Sequence, residues 1–137
     1  MNHSQSDQTI MDWMLKDLAD AVPRTRSVVV LSTDGVCIAQ HNAVHDTADR
    51  MAAACAGLQG AAGAIASELP HSDGRMNLVA LDMSGGFFFL MSVGSSAFLA
   101  VLAEEGVDGV QMGLRMRDLV PRIEHLCAAP RQEPFGR

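Results

Sequence analysis

The chain has 137 residues, which suits one domain of common size, and 48% of them are hydrophobic, which is ample for a single core. Its formal net charge of -6 argues against nucleic acid and anionic membranes as partners, because both are polyanions that need clustered Lys and Arg side chains. The opening residues, MNHSQSDQ, lack the basic and apolar regions of a secretory signal, so we expect a cytoplasmic protein. Polar or Pro- and Gly-containing ends predict disordered tails at residues 1–8 and 130–137 around one domain, residues 9–129.

The cysteines fit a reducing compartment. Cys37, Cys55 and Cys127 are odd in number and far apart, which suits neither a disulfide framework nor paired zinc ligands. We expect all three to be reduced and buried, where they would act as small hydrophobic side chains.

The first predicted element is an amphipathic helix that begins with Thr9 as its N-cap and ends at Pro23. Trp13 falls outside the apolar stripe of this helix, beside Lys16 and Asp20. We interpret Trp13 either as a residue that lies along the domain surface or as a contact for a partner.

Five short strands are predicted next in the chain, all antiparallel. Apolar runs on both sides of Asp34-Gly35 predict a β-hairpin over residues 27–40, and three more strands follow Gly- and Ser-rich turns, at residues 76–83, 87–93 and 97–103. Several of these runs are apolar at consecutive positions, which requires cover on both faces of the sheet. We therefore expect helices above and below it.

A long helix between the second and third strands, residues 46–69, carries one seam of apolar side chains. The seam residues are four, three, four, three and four positions apart, and they are Met51, Cys55, Leu58, Ala62, Ile65 and Leu69. We expect this seam to lie on the sheet.

The remaining surface of this middle helix is made of small residues, namely Ala53, Ala56, Gly57, Gly60, Ala61, Gly63 and Ala64. Glycine inside a helix costs about 0.5 to 1 kcal/mol relative to alanine, so close helix packing must offset that cost. We expect self-association through this face. A transmembrane span fits poorly because Gln59 is central and basic or aromatic anchors are missing, and burial within one monomer remains the other alternative.

The last predicted helix, residues 108–127, packs by one apolar stripe and contains Pro121, where we expect a bend or break. A second, narrower apolar ridge is formed by Val110, Leu114 and Pro121 near Arg117. This ridge is a candidate contact surface for a partner.

Residues that carry chemistry are sparse. His41 and His45, followed by Asp46 and Asp49, could hold a metal, but we interpret them as a polar loop and a helix N-cap. Ser95-Ser96 predicts a turn, because no nucleophile-elbow pattern surrounds it. We expect no catalytic, metal or cofactor residues and no enzymatic activity.

The order of these elements and four of their segments resemble the roadblock/LC7 family over about residues 9–129. The segments are VVVLSTDGVCIAQ, ADRMAAACAGLQGAAGAIASEL, SSAFLAVLAEEGVDGVQMGLRM and RDLVPRIEHL. The chain is most similar to the bacterial branch that is encoded beside Ras-like small GTPases and sensor histidine kinases.

The resemblance implies an α+β fold in the order α-β-β-α-β-β-β-α: a profilin-like, five-stranded antiparallel sheet with the middle helix on one face and the terminal helices on the other. It implies a homodimer in which the middle helices pack side by side. The third strand would pair with its copy across the two-fold axis, through Met76, Leu78, Ala80 and Asp82.

Known members of the family are non-catalytic scaffolds or regulators of small GTPases. The resemblance therefore implies a homodimeric adaptor or regulator of a Ras-like GTPase, with coupling to a sensor histidine kinase as a further option. No G-x-x-x-x-G-K-[ST] loop occurs, so the chain should act on a GTPase instead of being one. The alternative is a small-ligand sensor with a profilin-like fold, which needs a clustered polar pocket.

Overall fold

The computed structural model describes residues 2–128, with side chains for residues 6–127. In chain order the elements are α1 (Asn2–Ala21), β1 (Thr25–Ser32), β2 (Cys37–His41), α2 (His45–Ala66), β3 (Val79–Met83), β4 (Gly86–Val93), β5 (Ala97–Glu104) and α3 (Gly109–Ala128). This order confirms the α+β fold and the element sequence that the chain predicts.

The five strands form one sheet in the order β2-β1-β5-β4-β3, and every neighbouring pair is antiparallel. Side chains alternate between the two faces along each strand. In one row, Val28, Val101 and Phe89 face α1 and α3, and the next row faces α2. Because both faces of the central strands are covered, these strands read as continuous apolar runs.

The face covered by α1 and α3 holds the larger core. α1 lies over β1 and β2, α3 lies over β4, and the two helices also contact each other. The largest side chains that this layer buries completely include Leu15, Leu99, Met112, Met116 and Ile123. The main apolar stripe of α3 therefore packs as its spacing predicts.

Of the helices in the described part of the chain, α2 is the one that covers the opposite face. This helix packs mainly against β2, β1 and β5, and its buried residues are Ala48, Met51 and Cys55. The β1–β2 turn flanks one side of α2, where the position of a Cβ on Gly35 would lie 4.0 Å from the Cβ of Ala52. On its other side, toward β4 and β3, no second helix lies over the sheet within the part of the chain that the structure describes.

The start of α1 differs from the sequence prediction. α1 begins at Asn2 and includes Thr9 in its interior, so Thr9 is not the N-cap and the helix extends over residues 2–8, which the sequence predicts as a tail. No Gly or Pro lies between residues 2 and 8 to stop the helix. The predicted tail at residues 130–137 lies outside the described residues, and the domain limits at 9 and 129 stay a prediction.

The third strand is shorter than predicted, because it begins at Val79 and not at residue 76. At Met76 the backbone amide donates to the Ser92 hydroxyl at 2.9 Å, and the Ser92 amide donates to the Met76 carbonyl at 2.8 Å. A side chain has thus replaced a backbone acceptor, which takes this segment out of the regular ladder.

α3 runs unbroken through Pro121, so a break there is wrong, while the alternative of a bend stays a prediction. Proline removes one backbone donor, which leaves the carbonyl four residues earlier, on Arg117, without that partner. Pro121 and Arg117 are both on the exposed side of α3, where water can satisfy the carbonyl.

Candidate interaction site

The outward face of α2 is exposed along its length. All seven small residues predicted for a dimer contact are exposed, and they are Ala53, Ala56, Gly57, Gly60, Ala61, Gly63 and Ala64. Among the described residues, and leaving out the helix's own backbone, no atom lies within 4 Å of the Cβ position at Gly57, Gly60 or Gly63. Nothing within the described residues therefore explains these glycines, and that part of the chain does not bury this face.

The apolar seam of α2 reaches the sheet over only part of its length. Met51 and Cys55 are buried, and Leu58 and Ala62 pack against the same cluster. Ile65 and Leu69, which the seam predicts to lie on the sheet, are 60% and 53% exposed. The helix ends at Ala66, so Leu69 falls in the turn beyond it, and both side chains remain available for contact.

β3 lies at one edge of the sheet, and among the residues that the structure describes it pairs with β4 alone. Edge strands present unpaired backbone groups to other chains, so this position is the one that the implied dimer needs. Pairing of β3 with the β3 strand of a second copy stays a prediction, and the position of β3 at the edge is compatible with it.

The four residues predicted for this edge do not all lie on the same face of the sheet. Met76 is buried in the α2 layer and lies outside the strand, so its side chain is not presented at this edge, and its part in the interface stays a prediction. Ala80 and Asp82 lie opposite Phe89 and Phe87, on the face of α1 and α3. Leu78 turns to the same face, because its Cδ2 lies 3.6 Å from the Cβ position of Gly113 on α3.

Sequence reasoning missed the two β3 residues that continue the α2 surface. Leu81 lies opposite Phe88, whose side chain belongs to the α2 layer, and Met83 shares its face. Both are exposed large hydrophobics. The alternation within VALDM could have found them, because its larger apolar side chains occupy every second position and Asp82 lies between two of them.

A groove of about 650 Å³ separates the first half of α2 from β3. Its apolar lining comes from helix and sheet residues, namely Met51, Ala54, Leu81, Met83, Phe88 and Leu102. At its polar end, the Ser27 hydroxyl donates to the backbone carbonyl of Asn42 at 2.9 Å. The side-chain amide of Asn42 donates to the backbone carbonyl of Arg26 at 2.8 Å. Arg26 and Arg50 line the same groove, which gives it a positive rim.

The ridge predicted on α3 is exposed. Val110 is 76% and Leu114 61% exposed, and Arg117 and Pro121 are exposed beside them. Trp13 is 67% exposed on α1, as its position outside the apolar stripe predicts. The ridge and Trp13 thus lie on different helices, both on the side of the sheet opposite α2.

The cysteines differ in burial. Cys55 is buried in the α2 layer, and this burial raises the pKa of its thiol from 9.0 to about 11. Cys37 is exposed at the start of β2, so the expectation that it is buried is wrong. Partial desolvation and, secondarily, the charge of Asp12 raise the pKa of the Cys37 thiol. Neither thiol is therefore activated as a nucleophile.

The polar residues around the start of α2 lie in its first turns and on its exposed surface. Val44 is the N-cap and makes no side-chain capping bond, while Asp46 lies in the first turn and not at the cap. A carboxylate there is favoured by the helix dipole. His45 and Asp49 approach to 3.4 Å on the exposed surface. Ser95 and Ser96 lie in the β4–β5 turn.

Comparison with known proteins identifies the family. The Roadblock/LC7 domain model matches residues 11–103, which is more than half of the chain. The chain belongs to the Roadblock/LC7 family. A Roadblock/LC7 domain from Streptomyces avermitilis is 33% identical, with a TM-score of 0.73, over 82% of this chain and 92% of that one. No curated protein matches the sequence.

Two further solved structures share the fold at lower identity. Myxococcus xanthus MglB is 14% identical with a TM-score of 0.75, over 96% of this chain and 94% of that one. Acanthamoeba castellanii profilin II is 17% identical with a TM-score of 0.58, over 85% and 95%. The chain therefore has the roadblock/LC7 fold and its profilin-like character.

The described residues contain neither a membrane-spanning helix nor a metal-binding cluster. None of the helices is long and apolar enough to cross a membrane. Within the same part of the chain, no three His, Cys, Asp or Glu side chains converge as a metal site would require.

Proposed function

We propose that the protein is a cytoplasmic, homodimeric and non-catalytic adaptor or regulator of a Ras-like small GTPase. The observation that carries the proposal is the open small-residue face of α2 beside an unpaired edge strand, in a chain of the Roadblock/LC7 family. Known members of this family are scaffolds or regulators of small GTPases. Coupling to a sensor histidine kinase is a further part of the proposal and rests on the family resemblance alone.

The homodimer is supported by the energetics of α2. Gly57, Gly60 and Gly63 each cost about 0.5 to 1 kcal/mol relative to alanine in a helix interior. No contact inside the described chain offsets this cost, because their Cβ positions face open space. Close approach of a second α2 supplies the missing contact, and pairing of β3 with its copy would bond the exposed edge.

The GTPase contact is proposed for the other side of the sheet. If α2 and β3 are occupied by a second copy, the ridge of Val110, Leu114, Arg117 and Pro121 remains accessible, together with Trp13. An exposed aromatic residue, an arginine and apolar neighbours are typical of the central residues of protein interfaces. This surface is the part of the proposal that a single variant can test.

Nucleotide-dependent capture tests the proposed function. The purified protein is immobilised, source-cell cytosol loaded with GDP or a non-hydrolysable GTP analogue is passed over it, and the retained proteins are identified. We expect a Ras-like GTPase to be retained in a nucleotide-dependent manner. If neither nucleotide state retains a GTPase, the regulator proposal fails.

Leu114→Asp examines the ridge in the same assay, with Val36→Asp as its matched control. Both changes place a carboxylate at an exposed apolar position, but Val36 lies near the β1–β2 turn. We expect Leu114→Asp to reduce GTPase retention about tenfold or more, as for a central interface residue, while the dimer persists. Equal retention by the two variants would remove the ridge from the proposal.

The groove favours a second candidate function, small-ligand sensing. It combines an apolar lining with Arg26 and Arg50, which suits an amphiphilic anion. Because the groove adjoins the proposed dimer contact on α2, such a ligand would compete with the second copy. A bound small molecule released on denaturing freshly purified protein, with a monomeric solution mass, would favour this candidate.

A further inference from the structure

The groove and the last turns of α2 are complementary, although one chain cannot bring them together. The groove lies beside the first half of α2, with apolar walls from Met51, Leu81 and Met83 and with Arg50 on its rim. At the other end of the helix, Ile65 and Leu69 are exposed. Glu68 lies between them in the turn after α2.

Arg50 and Glu68 are both exposed, and neither side chain makes an ion pair or hydrogen bond within residues 6–127. The turn that carries Glu68 keeps a nearly helical course, because the Glu68 amide donates to the Ile65 carbonyl at 2.9 Å and the Leu69 amide donates to the Ala66 carbonyl at 3.0 Å. Glu68 therefore extends the surface of α2 by one further turn.

The symmetry of the proposed dimer fixes the relative direction of the two helices. If β3 pairs antiparallel with its copy in one continuous sheet, and both α2 helices lie on the same face, the two-fold axis is perpendicular to the sheet. A two-fold axis in that direction reverses every element that lies parallel to the sheet. The two copies of α2 must then run antiparallel, so the end of one lies beside the start of the other.

One stripe of residues along α2 and the turn after it has the same spacing in both directions. Its residues are four, three, four, three and four positions apart, and they are Arg50, Ala54, Gly57, Ala61, Ala64 and Glu68. In an antiparallel pair centred at the level of Gln59, Gly57 faces Ala61, Ala54 faces Ala64, and Arg50 faces Glu68 of the second copy. In the middle of this stripe, small residues of one copy face small residues of the other. At both ends, an arginine faces a glutamate.

We infer that the last turns of α2 from a second copy occupy the groove, with Ile65 and Leu69 on its apolar lining and Glu68 paired with Arg50. This inference rests on the proposed homodimer and adds its register. It explains why the apolar seam of α2 continues past the point where its own sheet covers it. It also places Leu81 and Met83 in contact with a second copy.

Charge reversal tests the register directly. Arg50→Glu and Glu68→Arg each put like charges opposite one another, and the two-fold axis repeats that contact. We expect either single variant to raise the dimer Kd by about tenfold or more, as measured by sedimentation equilibrium at low salt. The double variant restores opposite charges, so its Kd should return to within about threefold of wild type.

The apolar part of the contact has its own variant and control. Ile65→Asp should weaken the dimer, whereas Leu114→Asp, an equal change at an exposed site on α3, should leave its Kd unchanged. Circular dichroism of both variants shows whether the monomer remains folded. Since Ile65 has few contacts within its own chain, we expect helix content to be preserved.

The outcomes distinguish failure of the register from failure of the homodimer and from failure of the GTPase proposal. A wild-type dimer whose double reversal is no tighter than the two singles overturns the register, while the homodimer stands. A wild-type chain that sediments as a monomer overturns both, including the case in which a small ligand fills the groove. GTPase capture is scored separately, so its failure leaves the register unaffected.

Discussion

The two faces of the sheet differ in how completely the chain covers them. On one face, α1 and α3 lie side by side over β2, β1 and β4, and their apolar stripes are buried. On the other face, α2 alone covers β2, β1 and β5, and Leu81 and Met83 remain exposed toward the uncovered edge. The face covered by α1 and α3, the closed face, is packed like a protein core. The face covered by α2, the open face, leaves apolar side chains exposed, as a surface for association does.

We expect the face covered by α1 and α3 to supply the stability of the protein and the face covered by α2 to make its contacts with other chains. Residues that face α1 and α3 should govern whether the monomer folds, because they fill a closed layer. Residues on the outer face of α2 should govern only what the monomer associates with, since the described chain places nothing against them.

Truncation inside the closed layer should cause the largest loss. Met116 is fully buried on α3, and Met116→Ala should lower the free energy of unfolding by roughly 2–5 kcal/mol through lost burial and the cavity left behind. Leu114→Ala, two positions away on the exposed side, should change it by about 0.5 kcal/mol or less. Urea denaturation measures both, and similar losses would contradict the assignment of the two sides of α3.

A bulky residue on the open face should break association without unfolding the chain. Ala61→Leu should raise the dimer Kd about tenfold or more, because overpacking a close helix contact typically costs about 1–3 kcal/mol. Asp49→Ala, on the exposed surface of the same helix, should leave the solution mass unchanged. Equal solution masses for the two variants across a concentration series would argue against the α2 interface.

Alkaline pH should weaken the α2 layer through Cys55. Burial raises the pKa of its thiol from 9.0 to about 11, so the folded state holds the proton more tightly than the unfolded state. The contribution is complete below about pH 9 and is lost as the pH rises toward 11. At pH 10 the loss should be roughly 1 kcal/mol.

The Cys55→Ala variant isolates this contribution from other alkaline titrations. Its unfolding free energy should fall less between pH 8 and pH 10 than that of the wild type, in parallel urea denaturations. An identical decrease for the two proteins would show that the Cys55 thiol is not responsible.

The smallest effect should distinguish helix propensity from association. In the Ala61→Leu background, where the dimer is already weakened, Gly57→Ala should raise the free energy of unfolding by about 0.5–1 kcal/mol, because alanine favours the helix and its Cβ meets open space. Thermal denaturation at low protein concentration measures this gain. A loss of stability would mean that Gly57 has a role inside the monomer.

The sequence predicted the fold well because each element carries its own local signal. Periodic apolar residues defined the helices, and Asp34-Gly35 together with the later Gly- and Ser-rich turns defined the strands. Consecutive apolar residues in β4 and β5 predicted cover on both faces, which the three helices provide. These features depend on neighbours in the chain and therefore survive without any knowledge of the tertiary structure.

Predictions about individual site residues were weaker, because they depend on where an element ends and which way it faces. Ile65 belongs to the apolar seam by spacing, but the sheet does not extend beneath it. Met76 has the hydrophobicity of a strand residue, yet the Ser92 hydroxyl bonds its amide outside the ladder. The groove joins residues from α2 and four strands, so no local pattern could reveal it.

The most direct test of the open face is amide hydrogen exchange across a dilution series, comparing the two edges of the sheet. In a dimer, the outward amides of β3 and the exposed turns of α2 should be protected at high protein concentration and lose that protection on dilution. The other edge strand, β2, should exchange at one rate throughout. Concentration-independent exchange at both edges would contradict the account, because the open face would then have no second copy against it.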